Sequence, residues 1–162
     1  MNDTLDSAHA WFFEAASHLL DGKLVIRLVE GIKTTERQFV EVSGTKLGPY
    51  FPVKVEAQSR VAEITFANAL AFFGFNESYD TAEPDLKKGA GRFLFNAEAS
   101  SFRKFAEKRT TVAQLHEGPY LEFLVCCEDR IFHVLSSNEP VVVLLDENPN
   151  LTVERTNTWS AN

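Results

Sequence analysis

Two periods organise the apolar positions of this chain. From Leu5 to Leu19 the residues Leu5, Ala8, Phe12, Ala15, Ala16 and Leu19 recur at intervals of three and four, Asp3 or Thr4 stands where a cap belongs, and Gly22 can end the element. That spacing predicts an N-terminal helix lying against a sheet. From Lys23 the period drops to two. KLVIRLVEGI and RQFVEVS, rich in β-branched residues and joined by the polar KTTE, predict a hairpin in which Leu24, Ile26 and Leu28 point one way and Val25, Arg27 and Val29 the other. TKLGPYFP is expected to be a loop, because Gly48, Pro49 and Pro52 interrupt regular pairing. VKVEA, from Val53, predicts a short strand. In EITFANALAFFGF, Ile64, Phe66, Leu70 and Phe72 share one face and the small Thr65, Ala67, Ala69 and Ala71 the other. The expectation there is one long strand with the first helix on its small face.

In the second half, TAEPDLKKGAG predicts a surface loop and GRFLFNAE a strand. SSFRKFAEKRTTVAQL predicts a helix capped by Ser100 or Ser101, with Phe102, Phe105, Ala106, Arg109 and Ala113 on its inner face. YLEFLVCC, the turn Glu128-Asp129 and RIFHVLSS form the clearest hairpin signal, and PVVVLL is a further strand. Few helices among many strands give an α+β class. The expectation is a single domain over residues 1–162 with a mostly antiparallel twisted sheet of about six to seven strands, an N-terminal helix and a second helix near 100–113. A loosely ordered tail is expected from about residue 146.

Charge narrows the function classes. Sixteen Lys and Arg against 23 Asp and Glu leave a net charge of −7, which excludes a general nucleic-acid binder, since that affinity comes from cations on phosphates. A basic protein partner suits the balance. No apolar run approaches the roughly 20 residues of a membrane helix and no secretory leader is visible, so the expected compartment is the cytoplasm. The two cysteines, Cys126 and Cys127, are neighbours in sequence and supply neither a disulfide framework nor a structural zinc site. The four histidines are scattered at 9, 18, 116 and 133, and no phosphate-binding loop or catalytic elbow is present. Neither a metal nor a cofactor is expected.

Three places carry candidate chemistry. With Glu128 and Asp129 at the hairpin tip, Leu124 faces His133, and Glu122 and Cys126 become the diagonal neighbours of His133. Cys126, His133 and Glu122 are the parts of a nucleophilic cysteine site; the same three residues also describe a buried, inert thiol beside a hydrogen-bonded histidine. Asn68 falls within an apolar face, so its amide needs partners, either a ligand or a nearby loop. The run NESYDTAEPD holds Glu77, Asp80, Glu83 and Asp85, and with Tyr79 it reads as a recognition surface for a basic partner or as a solvated loop.

The order of these pieces resembles a group of small uncharacterised bacterial α+β proteins, some encoded near toxin loci. They carry a strand of the form I-x-F-x-N-x-L-A, an E-S-Y shortly after, and a closing hairpin ending in V-x-S before a Pro. Here these are Ile64, Phe66, Asn68, Leu70 and Ala71, then Glu77, Ser78 and Tyr79, then Val134, Ser136, Pro140 and Val141. The resemblance spans about Tyr50 to Leu145. It departs from the group at Pro119, where a His is common before the hairpin, and at His133, where an acid is usual. It implies an immunity-like, partner-binding role and no assigned reaction. The expected function is protein recognition through Asn68, Glu77, Tyr79, Asp80 and Glu83. The alternatives are a small enzyme built on Cys126, His133 and Glu122, and a homodimeric structural protein associating through an exposed sheet face or edge.

Overall fold

The segment that reads as an N-terminal helix is a strand. The computed structural model describes residues 3–145; only one helical turn, α1 (Asp3–Asp6), precedes β1 (Ala10–His18), which pairs antiparallel with β2 (Leu24–Lys33) from Ala10 opposite Gly31 to His18 opposite Leu24. The Ala-rich spacing suits a helix, but the ring-bearing run Trp11-Phe12-Phe13 packs better on a pleated surface, and pairing along the whole of β1 overrides local propensity. Gly22, with φ of 85°, turns the hairpin rather than ending a helix. His9 therefore precedes a strand and His18 is its last residue.

After β2 come β3 (Gln38–Val42), β4 (Thr45–Tyr50) and β5 (Val53–Lys54). The expected hairpin between β2 and β3 does not form. Instead β3 pairs with β4 through a two-residue turn at Ser43 and Gly44, both with positive φ, which matches the twist of a tight hairpin. TKLGPY is thus a strand and not a loop. Its Pro49 is tolerated because the register shifts between Gln38 and Val40, a bulge where no ladder donor is needed.

The expected long strand is two strands, β6 (Val61–Phe66) and β7 (Ala69–Asn76), which belong to different sheets. The chain changes sheets at Asn68. Its side-chain amide donates to Ser137 Oγ at 3.1 Å, its carbonyl accepts from Ser136 Oγ at 3.0 Å, and Ala69 N–H donates to the Gly22 carbonyl at 2.8 Å. Asn68 is half-buried at a corner rather than central in an apolar face.

The remaining elements are β8 (Lys87–Lys88), β9 (Leu94–Glu98), α2 (Ser101–Arg109), α3 (Val112–Leu115), β10 (Leu121–Cys126), β11 (Arg130–Ser136) and β12 (Val141–Leu145). One sheet runs β1-β2-β6-β12 with β5 on the end of β2; the second runs β7-β11-β10-β9-β8; the β3–β4 pair belongs to neither. Every pairing is antiparallel. The mostly antiparallel, helix-poor class stands, and the single sheet of six to seven strands is replaced by two, because β6 and β7 part at Asn68. The tail expected from residue 146 lies outside the described residues.

A common core joins the inner faces. Leu24, Ile26, Leu28, Ile64 and Phe66 of the first sheet meet Phe123, Val125, Phe132 and Val134 of the second. Phe66 lies 5.7 Å from Phe123 and Phe13 5.3 Å from Phe132, centroid to centroid. Each such side chain stabilises the fold by about 1.5–3 kcal/mol. Alternation then sends Glu122, Leu124, Cys126, Ile131, His133 and Leu135 to the far face of the second sheet, where α2 covers part of it.

Candidate functional site

Local sequence fixes the tip of the β10–β11 hairpin. Glu128 N–H donates to the Trp11 carbonyl at 2.9 Å, and Asp129 Oδ1 accepts from Phe13 N–H at 2.8 Å beside the irregularity in β1. With that tip held, Leu124 stands opposite His133, as the two-residue turn requires. Glu122 is 1% exposed, and its Oε1 lies 2.8 Å from His133 Nδ1. Its Oε2 accepts from the Ser100 hydroxyl at 2.5 Å. Ser100 in turn accepts from Arg103 N–H at 2.9 Å and so caps α2. One chain of hydrogen bonds thus ties the helix start to the sheet and holds the imidazole. The Nδ1 atom is engaged by the Glu122 carboxylate, and Nε2 has no hydrogen-bond partner among the described residues.

His133 forms the floor of a cleft of about 990 Å³. Its walls come from three elements: Phe73 and Phe75 of β7, Phe102 and Phe105 of α2, and the segment from Asp80 to Lys88. Rings surround the imidazole, with Phe102 at 5.5 Å and Phe75 at 6.2 Å, while Phe73 stacks on Phe102 at 6.3 Å. Phe105, expected on the inner face of the helix, is exposed and faces the cleft; Arg109 and Ala113 are exposed too. The helix ends at Thr110, whose hydroxyl and N–H both turn back to the Ala106 carbonyl, so the expected inner stripe stops short.

The acidic segment forms the rim. The Asn76 side chain accepts from Ser78 N–H and starts the 3-10 turn Glu77–Tyr79, and Glu77 N–H donates to the Asp129 carbonyl at 3.1 Å. Beyond it Asp80 and Glu83 line the cleft, and the Glu83 carboxylate accepts from Ser101 N–H at the start of α2. Lys88 is the cation on the same rim.

The structure brings Asp80, Glu83 and His133 into one cleft. Glu77 and Tyr79 lie outside its lining, and Asn68 sits at the opposite end of β7. Cys126 shares the sheet face but has no hydrogen bond to His133. Burial pushes its thiol up, Lys88 opposes that shift and Asp80 adds to it. A thiol held protonated is a poor nucleophile. The phenylalanines, Ser100 and Lys88 carry no motif that marks them as site residues; only the capping position of Ser100 is visible in the sequence.

Among the described residues no cluster of three or more His, Cys, Asp or Glu could hold a metal, and no helix is long and apolar enough to cross a membrane. No protein-family model matches the chain, and no curated protein or solved structure matches it either. The resemblance in the sequence therefore rests on its short motifs alone.

Proposed function

We propose that this protein acts by protein recognition and that the cleft between the second sheet and α2 receives an apolar side chain carried on a basic segment of its partner. The observation that carries this reading is the joining of exposed rings and acids in one concave site: Phe73 is 51% exposed, Phe105 is exposed beside it, and Asp80 and Glu83 stand at the rim. An apolar pocket with a few polar groups at its edge is the usual form of a recognition site, and acids at a rim steer a cationic partner. Neutralisation of a basic toxin, the immunity-like role that the resemblance implies, is one form of this function.

A titration tests it. The peptide Lys-Phe-Lys-Phe-Lys should bind, its Glu-for-Lys counterpart should not, and Asp80→Lys should weaken the first by about tenfold at low salt, the loss of one exposed ion pair plus the repulsion that replaces it. Equal binding of both peptides, or binding unaffected by Asp80→Lys, would sink the reading.

One observation favours a second reading, that of a small enzyme. Glu122 engages His133 through Nδ1 and leaves Nε2 without a partner among the described residues, and His133 lines the ring-walled cleft, the placement that a general base needs. A hydrolysis carried out by the wild type and abolished in His133→Gln would support it.

A further inference from the structure

Among the described residues the β3–β4 arm pairs only with itself, and an isolated two-stranded ribbon is marginally stable in water. Val40 stands opposite Leu47, and Val42 two residues on shares that face, so one side of the ribbon is apolar. On the other, Lys46 lies 4.2 Å over the Phe39 ring. On the apolar side Leu47 is 52%, Val42 51% and Val40 42% exposed. An exposed apolar stripe of this length marks a contact surface. The turn at the end of the arm, Ser43-Gly44, is polar, so the stripe lies along the flank. That placement suits packing against a protein surface better than insertion of the tip into a membrane.

Charge selects the occupant. Across the arm and its base, Lys33, Arg37, Lys46 and Lys54 outnumber Glu36 and Glu41, in a chain whose net charge is −7. The cleft has the opposite character, with exposed rings on β7 and α2 and acids on the rim. No arm residue lines the cleft of its own chain. We infer that the arm of one copy docks in the aromatic, acid-rimmed cleft of a second copy, so that the protein self-associates arm to cleft. This rests on reading the cleft as a receptor for basic, apolar segments, and it names one such segment. Arm and cleft are different patches, so the contact is heterologous; two copies close it by exchanging arms reciprocally.

Analytical ultracentrifugation of the full chain, from micromolar to submillimolar concentration, tests the inference alongside titration with Lys-Phe-Lys-Phe-Lys. The wild type should sediment as two chains and dissociate as salt or peptide is raised. Val40→Asp/Leu47→Asp, both on the exposed arm, should be monomeric, retain the circular dichroism of the wild type and still bind the peptide. Phe73→Ser/Asp80→Lys should be monomeric and lose the peptide. A monomeric wild type that binds the peptide overturns self-association and leaves the cleft reading standing. An assembly that depends on arm and cleft in a protein that ignores the peptide supports self-association and overturns the broader reading. An assembly that survives Phe73→Ser/Asp80→Lys places the contact elsewhere, arm against arm or edge against edge, and overturns the inference. So does arm-dependent co-sedimentation of a monomeric protein with phosphatidylserine vesicles.

Discussion

Glu122 gives the sharpest test of how the site is built. Replacing it with Ala removes the acceptor of two buried hydrogen bonds, those from Ser100 Oγ at 2.5 Å and His133 Nδ1 at 2.8 Å. A buried donor left without a partner costs about 1–3 kcal/mol, and the missing side chain leaves a cavity besides. The sum should reach about 3–5 kcal/mol, the usual cost of breaking a buried pair. Glu122→Leu fills the cavity yet still strands both donors, so it should recover only part of that loss. Ser100→Ala should cost about 1–3 kcal/mol, because it removes both the cap of α2 and a donor to the buried Glu122 carboxylate.

The informative comparison is the cycle of Glu122→Leu, His133→Leu and the double mutant. Once both partners are apolar, His133 no longer presents an unmet donor, and the double mutant should be more stable than the two single losses added together by about 1–3 kcal/mol. Urea denaturation followed by circular dichroism gives each value, provided the slope against denaturant is unchanged. A Glu122→Ala loss below about 1 kcal/mol, or an additive cycle, would show that the pair does not hold His133 in place.

Much of this arrangement was legible where a short turn fixes a register. Glu128 and Asp129 place Leu124 opposite His133, and the period of two then puts Glu122 and Cys126 beside it; local chain geometry is enough. Ser100 was legible as a cap from its place before an amphipathic run, but not as a partner of Glu122, because that contact depends on how α2 lies across the sheet. The N-terminal strand was misread because Ala15 and Ala16 fit helical spacing as well as strand spacing, and only pairing with β2 decides between them. The break at Asn68 was hidden for a related reason. Alternation continues from Ile64 through Phe72, while the side chains pass from the core of one sheet to the rim of another: Ile64 is fully buried and Phe72 is 42% exposed. The cleft depends on that switch. It carries β7, with Phe73 and Phe75, away from β6 and sets it under α2.

Three further outcomes follow from the same contacts. A Cβ added at Gly74 would lie 2.6 Å from two ring carbons of Phe132, so Gly74→Ala should destabilise by about 1–3 kcal/mol in urea; an unchanged midpoint would mean that the ring has room to move. Burial pushes the Cys127 thiol from 9.0 up to about 12, and Asp129 adds to the shift. Because the folded pKa is raised, this contribution to stability is complete below about pH 9 and is lost as pH rises toward 12. The urea midpoint of the wild type should fall across that window by more than that of Cys127→Ala, and equal slopes would contradict the burial. The last outcome separates the two acids of the cleft. Glu83 accepts from Ser101 N–H at the start of α2, where the helix dipole favours negative charge, whereas Asp80 is exposed and closes the 3-10 turn through its backbone N–H rather than its carboxylate. Glu83→Lys should therefore cost about 1 kcal/mol of stability and Asp80→Lys less than about 0.5 kcal/mol, although both reverse a charge at the same rim. Equal losses in urea would show that Glu83 does not hold the helix, and charge reversal at Glu83 would then become as clean a probe of recognition as reversal at Asp80.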